Sequence, residues 1–407
     1  MSRELVIPAA RLRELAREFG TPLYVYDEAT ILERVRRLAG FDLVRYAQKA
    51  NPNLALLALL RSVGVAVDAV SAGEIERALR AGYAPDEVAY TADLFDVRAL
   101  EFIARKPLRV NCGSVDMLPL LAKARPGAEV VLRINPGFGH GHGLRVTTGG
   151  ESSKHGIWHV DAPNALNVAQ QLGLAVVGLH VHIGSGSDQR NLALAAAAFE
   201  NLAPLVRRTL KSLSAGGGIP IPYRDADPDF ELGSYAQTWR DAARRASECV
   251  GRKLKLEVEP GRFLVAESGL LVTEVQGTKR NGGFDYALVD AGFHTLLRPV
   301  MYGAYHRIEA LTSADRNLRP TVVAGPLCES GDVFTLTSDG APDPRLLPAL
   351  ARGDLLAICD VGAYGMSMAS RYNSQPLPAE VLVSGDNARL IRRRESLEDQ
   401  LLHELDL

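Results

Sequence analysis

The feature that most constrains this chain is an alternation between residues 43 and 258. Eight short β-rich runs recur there, at 43–49, 65–70, 88–92, 108–112, 130–135, 177–183, 210–215 and 254–258. Stretches with helical spacing lie between them, at 52–63, 72–81, 97–104, 115–124, 162–172, 191–210 and 234–250. Repeated β/α units of this kind predict a parallel (β/α)8 TIM-like barrel. An open doubly wound sheet has the same periodicity and stands as the alternative. Near residues 261–266 the texture changes. Runs at 272–278, 286–289, 307–311, 321–324, 333–336, 355–359, 380–383 and 389–392 read as strands separated by turn residues, which predicts a second, mostly β domain. The expected division is a barrel over 27–263 and a β domain over 264–407. The run 23–26 is β-like, so residues 1–26 are expected to join the β domain. Residues 392–407 mix charges at helical spacing and predict a solvated terminal helix.

Charge and composition exclude several classes of function. With 46 Lys and Arg against 48 Asp and Glu, the net charge is −2. A nucleic-acid binder would carry a basic surplus. No apolar run approaches the roughly 18 residues that span a bilayer, and the N-terminus does not read as a secretory signal. Cys112, Cys249, Cys328 and Cys359 show no CxxC spacing, so neither a disulfide framework nor a zinc site follows. These features predict a cytoplasmic, reduced protein.

In such a barrel the working residues sit at the C-terminal ends of the strands. Here those ends supply Lys49, Asn51, Asp68, Ser71, Thr91, Asp93, Asn111, Arg133, Asn135, His180, His182, Ser185, Gly216–Gly218, Glu259 and Arg262. A lone strand-end lysine is ordinarily a snorkelling side chain. At a barrel mouth, desolvation and neighbouring cations make it a Schiff-base candidate. Three successive glycines are either a flexible turn or an anion cup of exposed N–H groups; the place after the seventh strand favours phosphate. Glu259 either pairs with Arg262 or holds a ring nitrogen. His182 is either a satisfied core histidine or a stacking ring. Together they form the set that pyridoxal phosphate needs. The glycine-rich segment 136–159 is long for a βα loop and reads as a mobile lid. Its His140, His142 and His155 lack the carboxylate or cysteine company of a metal site. Cys112, Cys249 and Cys359 read as small core residues, and Cys328 in isolation reads the same way.

The motifs YAQKAN (46–51), HVHIGSGS (180–187), SAGGGIP (214–220), EVEPGR (257–262), DAGFHTLLRPVMYG (290–303), GPLCESGD (325–332) and GAYGMSMASRYNSQPLPAEV (362–381), with the loop RINPGFGHGHG…SKHGIW (133–158), occur in this order. In them the chain closely resembles the diaminopimelate decarboxylase family, a branch of the fold-type III pyridoxal-phosphate enzymes, which include alanine racemase. The resemblance implies a barrel plus a β domain and pyridoxal 5'-phosphate as cofactor. It implies that Lys49 carries the cofactor and that His182 stacks on its ring. Ser185, Gly217, Gly218, Glu259, Gly261, Arg262 and Tyr364 would complete the cofactor site, with Glu259 on the ring nitrogen. Arg262, Arg298, Tyr302, Glu329 and Tyr364 would contact substrate, and Cys328 would donate a proton. It also implies a head-to-tail homodimer in which Cys328 and Glu329 reach the partner's barrel.

The implied reaction is decarboxylation of meso-2,6-diaminopimelate at its D-centre to L-lysine and CO2, the last step of lysine biosynthesis. Arg298 favours this substrate, because an arginine can bind the far carboxylate bidentately, while Glu329 can take the distal ammonium. Ornithine has no far carboxylate and would leave a buried Arg298 unpaired, at a cost of roughly 1–3 kcal/mol or more. In isolation Arg298 could equally be an interface or surface residue. The same machinery could act on D-lysine, D-ornithine or a carboxylated polyamine precursor. A racemase would want a tyrosine base and a weaker electron sink than Glu259 provides. A non-catalytic binding protein would have no need of both Lys49 and Cys328.

Overall fold

The computed structural model describes residues 3–139, 148–184, 189–312 and 316–405, with the backbone alone at 189, 200 and 201. The chain divides into two compact units, one of residues 34–221 and 229–264, the other of residues 1–33, 222–228 and 265–407. The first strand, β1 (Leu23–Asp27), belongs to the second of these.

The first unit is a closed barrel. Its strands are β2 (Leu43–Ala47), β3 (Ala66–Ala69), β4 (Val88–Ala92), β5 (Arg109–Cys112), β6 (Glu129–Asn135), β8 (Ala175–Val181), β9 (Ser212–Ser214) and β10 (Lys255–Val258), with the two-residue β7 (Ile157–Trp158) beside β6. All pair in parallel. The ring runs β2-β3-β4-β5-β6-β8-β9-β10 and closes by β10 on β2. This is the predicted (β/α)8 order, and the open sheet is excluded. Each strand is short and apolar because both of its faces are covered. Inside the ring Glu257 receives Arg45 Nε and Arg109 Nη1, each at 3.0 Å, and Arg109 Nη2 donates to Ser212 at 2.9 Å. Two guanidinium groups on one carboxylate repay much of the cost of burying the charge.

Three expectations for this unit are corrected. The first run stops at Ala47, and Gln48–Ala50 is a 3-10 turn, so Lys49 sits on a turn rather than in a strand. The helix expected over 191–210 starts earlier, at Gln189, and ends at Leu202, where Pro204 opens a 3-10 turn over Ala203–Val206; proline lacks the N–H that the next helical turn requires. Cys249 is exposed on the helix Leu232–Val250 rather than buried in the core.

The second unit is mostly β. Its strands are β11 (Gly269–Asn281), β12 (Phe284–Val289), β13 (Ile308–Ala310), β14 (Leu318–Ala324), β15 (Arg345–Pro348), β16 (Leu355–Ile358), β17 (Ala379–Ser384) and β18 (Asn387–Arg392), joined by β1. The order is β15-β14-β12-β11-β1-β17-β18, with β16 between β11 and β13. β1 lies inside the sheet, antiparallel to β11 and parallel to β17. Leu23 and Val25 face a core of Leu12, Leu15, Leu270, Val272, Val381 and Val383, to which the helix Ala9–Phe19 contributes its apolar face. On the opposite face Tyr24 donates to Thr295 O and Tyr26 to the buried Glu380, so neither hydroxyl is left unsatisfied.

Here too the structure departs from expectation. The run 333–336 makes only isolated bridges, Val333 to Ala324 and Leu336 to Pro342, and no strand. β15 had no alternating pattern to announce it. The terminal helix shrinks to Leu397–Leu401, started by Ser396, whose hydroxyl caps the Asp399 N–H.

Candidate active site

The barrel mouth is built on the ends of its strands. The turn that carries Lys49 is pinned by Tyr46 Oη donating to Asn51 O at 3.0 Å and by Ala47 N donating to Pro260 O at 3.1 Å. Lys49 is exposed, whereas Gln48 beside it is fully buried. Gly261 passes under this turn, and a Cβ there would lie 3.0 Å from Ala47 O and 3.2 Å from Ala50 Cβ. Close packing is therefore what demands glycine at 261.

The glycine turn follows β9. Gly216 and Gly218 have φ of 62° and 103°, in the region that favours glycine. Cβ atoms at 216, 217 and 218 would meet Val181 O at 2.0 Å, Glu259 O at 2.6 Å and Gly184 O at 2.3 Å. The turn is wedged against neighbouring strand ends, which excludes a merely flexible loop. Among the described residues, the N–H groups of Gly217 and Gly218 meet no protein acceptor. Such donors suit an anion.

Two buried acids share the mouth, and their surroundings push them apart. Asp68 on β3 accepts from Thr91 Oγ1 at 2.5 Å, and Thr91 accepts from Asn111 Nδ2 at 2.8 Å. Burial and then the charge of Glu259 drive the Asp68 carboxyl well above its ordinary range. Burial acts the same way on Glu259, but His180, then Ser214 and Arg45, outweigh it and hold Glu259 at about 2. Glu259 therefore pairs with His180 and Ser214, at 2.8 Å each. His182 is half-buried, and among the described residues its Nδ1 has no partner. Burial, then Lys49 and Arg133, push it well below the usual imidazole value, so it is neutral at pH 7. That is not a satisfied core histidine; it is a flat, uncharged ring.

The 136–159 loop is tied at its neck. Asn135 Oδ1 accepts from Gly137 N at 3.1 Å and Gly150 N at 2.9 Å, while Nδ2 donates to Gly150 O at 3.1 Å and His155 O at 3.2 Å. Asp93 holds His155 Nδ1 at 2.5 Å and accepts from Gly156 N at 2.9 Å. Ser185, His140 and His142 lie outside the described residues.

The β unit carries a second group. Arg298 is buried, so it is no surface residue. Its Nη1 lies 2.9 Å from His306 Nε2, and His306 Nδ1 lies 2.8 Å from Cys359 O. The carbonyl only accepts, so Nδ1 carries the proton and Nε2 accepts from Arg298. The guanidinium also lies over Tyr223, 4.8 Å from its ring centre. Tyr302 follows one turn after Arg298 on the short helix Arg298–Tyr302. Cys328 and Glu329 are exposed in the loop after β14, which corrects the reading of Cys328 as a buried structural thiol. Asn373 Oδ1 accepts from Cys328 N at 3.2 Å, and Tyr372 donates to Glu329 at 2.6 Å. Asp332 organises the loop by accepting from Leu327 N and Phe293 N. Tyr364 has φ of 59°, a conformation that non-glycine residues seldom adopt.

His306, Tyr223, Ser214 and Asp332 escape a reading of the sequence. Ser214 and Asp332 fall inside the quoted motifs without an assigned part. His306 and Tyr223 lie outside them, and nothing local marks either.

Ionised Glu259, neutral His182, an exposed lysine amine and unengaged glycine N–H groups fit a phosphorylated pyridine aldehyde. The family of pyridoxal-dependent decarboxylases, through its pyridoxal binding domain, matches residues 29–266. A diaminopimelate decarboxylase of Escherichia coli K12 is 48% identical, the match covering 99% of this chain and 98% of that one. A crystal structure of a diaminopimelate decarboxylase superposes with a TM-score of 0.96 at 47% identity, covering 100% of this chain and 98% of that one. The Helicobacter pylori enzyme, solved in complex with L-lysine, gives 0.85 at 33% identity, covering 97% and 99%.

Proposed function

Since the chain belongs to the diaminopimelate decarboxylase family, we propose that it converts meso-2,6-diaminopimelate to L-lysine and CO2 with pyridoxal phosphate, acting at the D-centre. Lys49 would hold the cofactor, with Ser185, Gly217, Gly218 and Tyr364 at its phosphate, His182 on its face, Glu259 at its ring nitrogen, and Gly261 and Arg262 completing the site. When bound, the cofactor supplies an electron sink for the charge left on the substrate Cα as CO2 departs.

The protein's own groups do the rest. Glu259, held by His180 Nε2 and Ser214 Oγ, presents a negative charge to the ring nitrogen, and that pairing supports a decarboxylase over a racemase. Arg298 takes the far carboxylate in a bidentate pair. Glu329 takes the distal ammonium, and Arg262, Tyr302 and Tyr364 line the substrate. The Cys328 thiol delivers a proton to Cα. The working form is a homodimer in which Cys328 and Glu329 serve the partner's barrel. It acts in the cytoplasm on a small molecule, and not on nucleic acid. Among the described residues, no helix is long and apolar enough to cross a membrane.

The test is gas release and L-lysine formation by the holoenzyme from the meso, LL and DD isomers and from L-ornithine. We expect L-lysine and CO2 from the meso isomer, and ornithine turnover lower by roughly tenfold or more. The Lys49→Ala variant should lose both turnover and the visible band of bound cofactor. Equal rates on ornithine, or an unchanged band in that variant, would contradict this reading.

A further inference from the structure

Glu259 is held from two sides inside the barrel. His180 Nε2 lies 2.8 Å from Oε2, and Ser214 Oγ donates to Oε1 at 2.8 Å. Ser214 Oγ in turn accepts from Gly216 N at 3.2 Å, and Glu259 N donates to Gly216 O at 2.8 Å. Acid and glycine turn are thus one hydrogen-bonded unit. His180 is 1% exposed, and its Nδ1 has no partner among the described residues. An ionised carboxylate only accepts, so Nε2 carries the proton.

We propose that His180 is a positioning residue: its Nε2–H, together with the Ser214 hydroxyl, fixes the Glu259 carboxylate as the acid that meets the cofactor's ring nitrogen. This rests on the function proposed above. The need for such a device follows from the second acid. Asp68 and Glu259 share one buried site, and two like charges there disfavour each other. One acid has to give way, and the donors decide which. The charged or titratable groups around Glu259 are Arg45, Arg109, Arg133, Asp68 and His182. Arg45 and Arg109 are already engaged with Glu257. His180 and Ser214 are the groups that bond Glu259 directly, and without His180 burial draws Glu259 towards its neutral form. A neutral acid there would weaken the electron sink.

Three holoenzymes test this: wild type, His180→Phe, which removes the donor, and His180→Gln, which keeps an N–H near the place of Nε2. In His180→Phe, kcat on meso-diaminopimelate should fall by roughly tenfold with KM unchanged. The acid limb of kcat and that of the cofactor's visible absorbance should both move to higher pH. His180→Gln should recover most of the rate and return both limbs. Independently of any variant's folding, the 15N resonances of His180 in wild-type holoenzyme should show a proton on Nε2 at neutral pH. A His180 with no proton on Nε2 would overturn the proposal. So would a glutamine variant no better than phenylalanine, or a phenylalanine variant with wild-type profiles. A wild type that binds no cofactor and makes no lysine would instead overturn the functional reading and, with it, this assignment.

Discussion

Arg298 is fixed by His306 on one edge and by the face of Tyr223, so its planar group is already oriented before any ligand arrives. A lysine is a point donor on a flexible stem and reproduces neither contact. Arg298→Lys should therefore raise KM for meso-diaminopimelate by about tenfold or more, with little change in the slow turnover of ornithine. Steady-state kinetics on both substrates check this, and a parallel loss on both would instead point to general damage. The motif around residue 298 named the arginine, but its burial was not legible. His306 is eight positions on, beyond the end of the helix that carries Arg298, and Tyr223 is far earlier in the chain, so no single element links either of them to Arg298. Residues such as Lys49 and Glu259 were easier to single out, because strand ends of a barrel converge by topology alone.

At the scale of elements, the long loop after β6 depends on one side chain. Asn135 uses both its oxygen and its NH2 group on backbone at 137, 150 and 155. Asn135→Ala removes these bonds and should speed hydrogen exchange in segment 148–156 by roughly tenfold or more. Asn135→Asp keeps the acceptors and loses the donors, so its effect should be smaller. Mass-detected exchange measures both, and equal protection in all three proteins would show that the loop is tied elsewhere. The eight barrel strands were legible because each is a short apolar run between helical spacings. The errors have local causes: Pro204 cuts a helix whose apolar pattern continues past it, and Ser396 starts the last helix later than its charge pattern suggests. The 333–336 run has strand composition, yet two isolated bridges are all it makes.

For the whole molecule, the proposed dimer makes a statistical prediction. Cys328→Ala should slow lysine formation far more than it weakens cofactor binding, and Lys49→Ala should be inactive. If each site takes Lys49 from one subunit and Cys328 from the other, mixing the slow and the inactive variant and letting subunits exchange regenerates one intact site per mixed dimer. The mixture should then reach about a quarter of the wild-type rate. A mixture as inactive as its components would place both residues in a single subunit's site. The two-part organisation was legible from the change of texture near residue 263. The placement of β1 between β11 and β17 was not, because a strand's sequence carries no record of its neighbours. That placement bears on how the protein is born. Residues 23–26 leave the ribosome well before their sheet partners, which lie at 269–272 on one side and 379–382 on the other. Until residue 382 has been made this strand has an open flank, and its backbone in the nascent chain has to be shielded by other means.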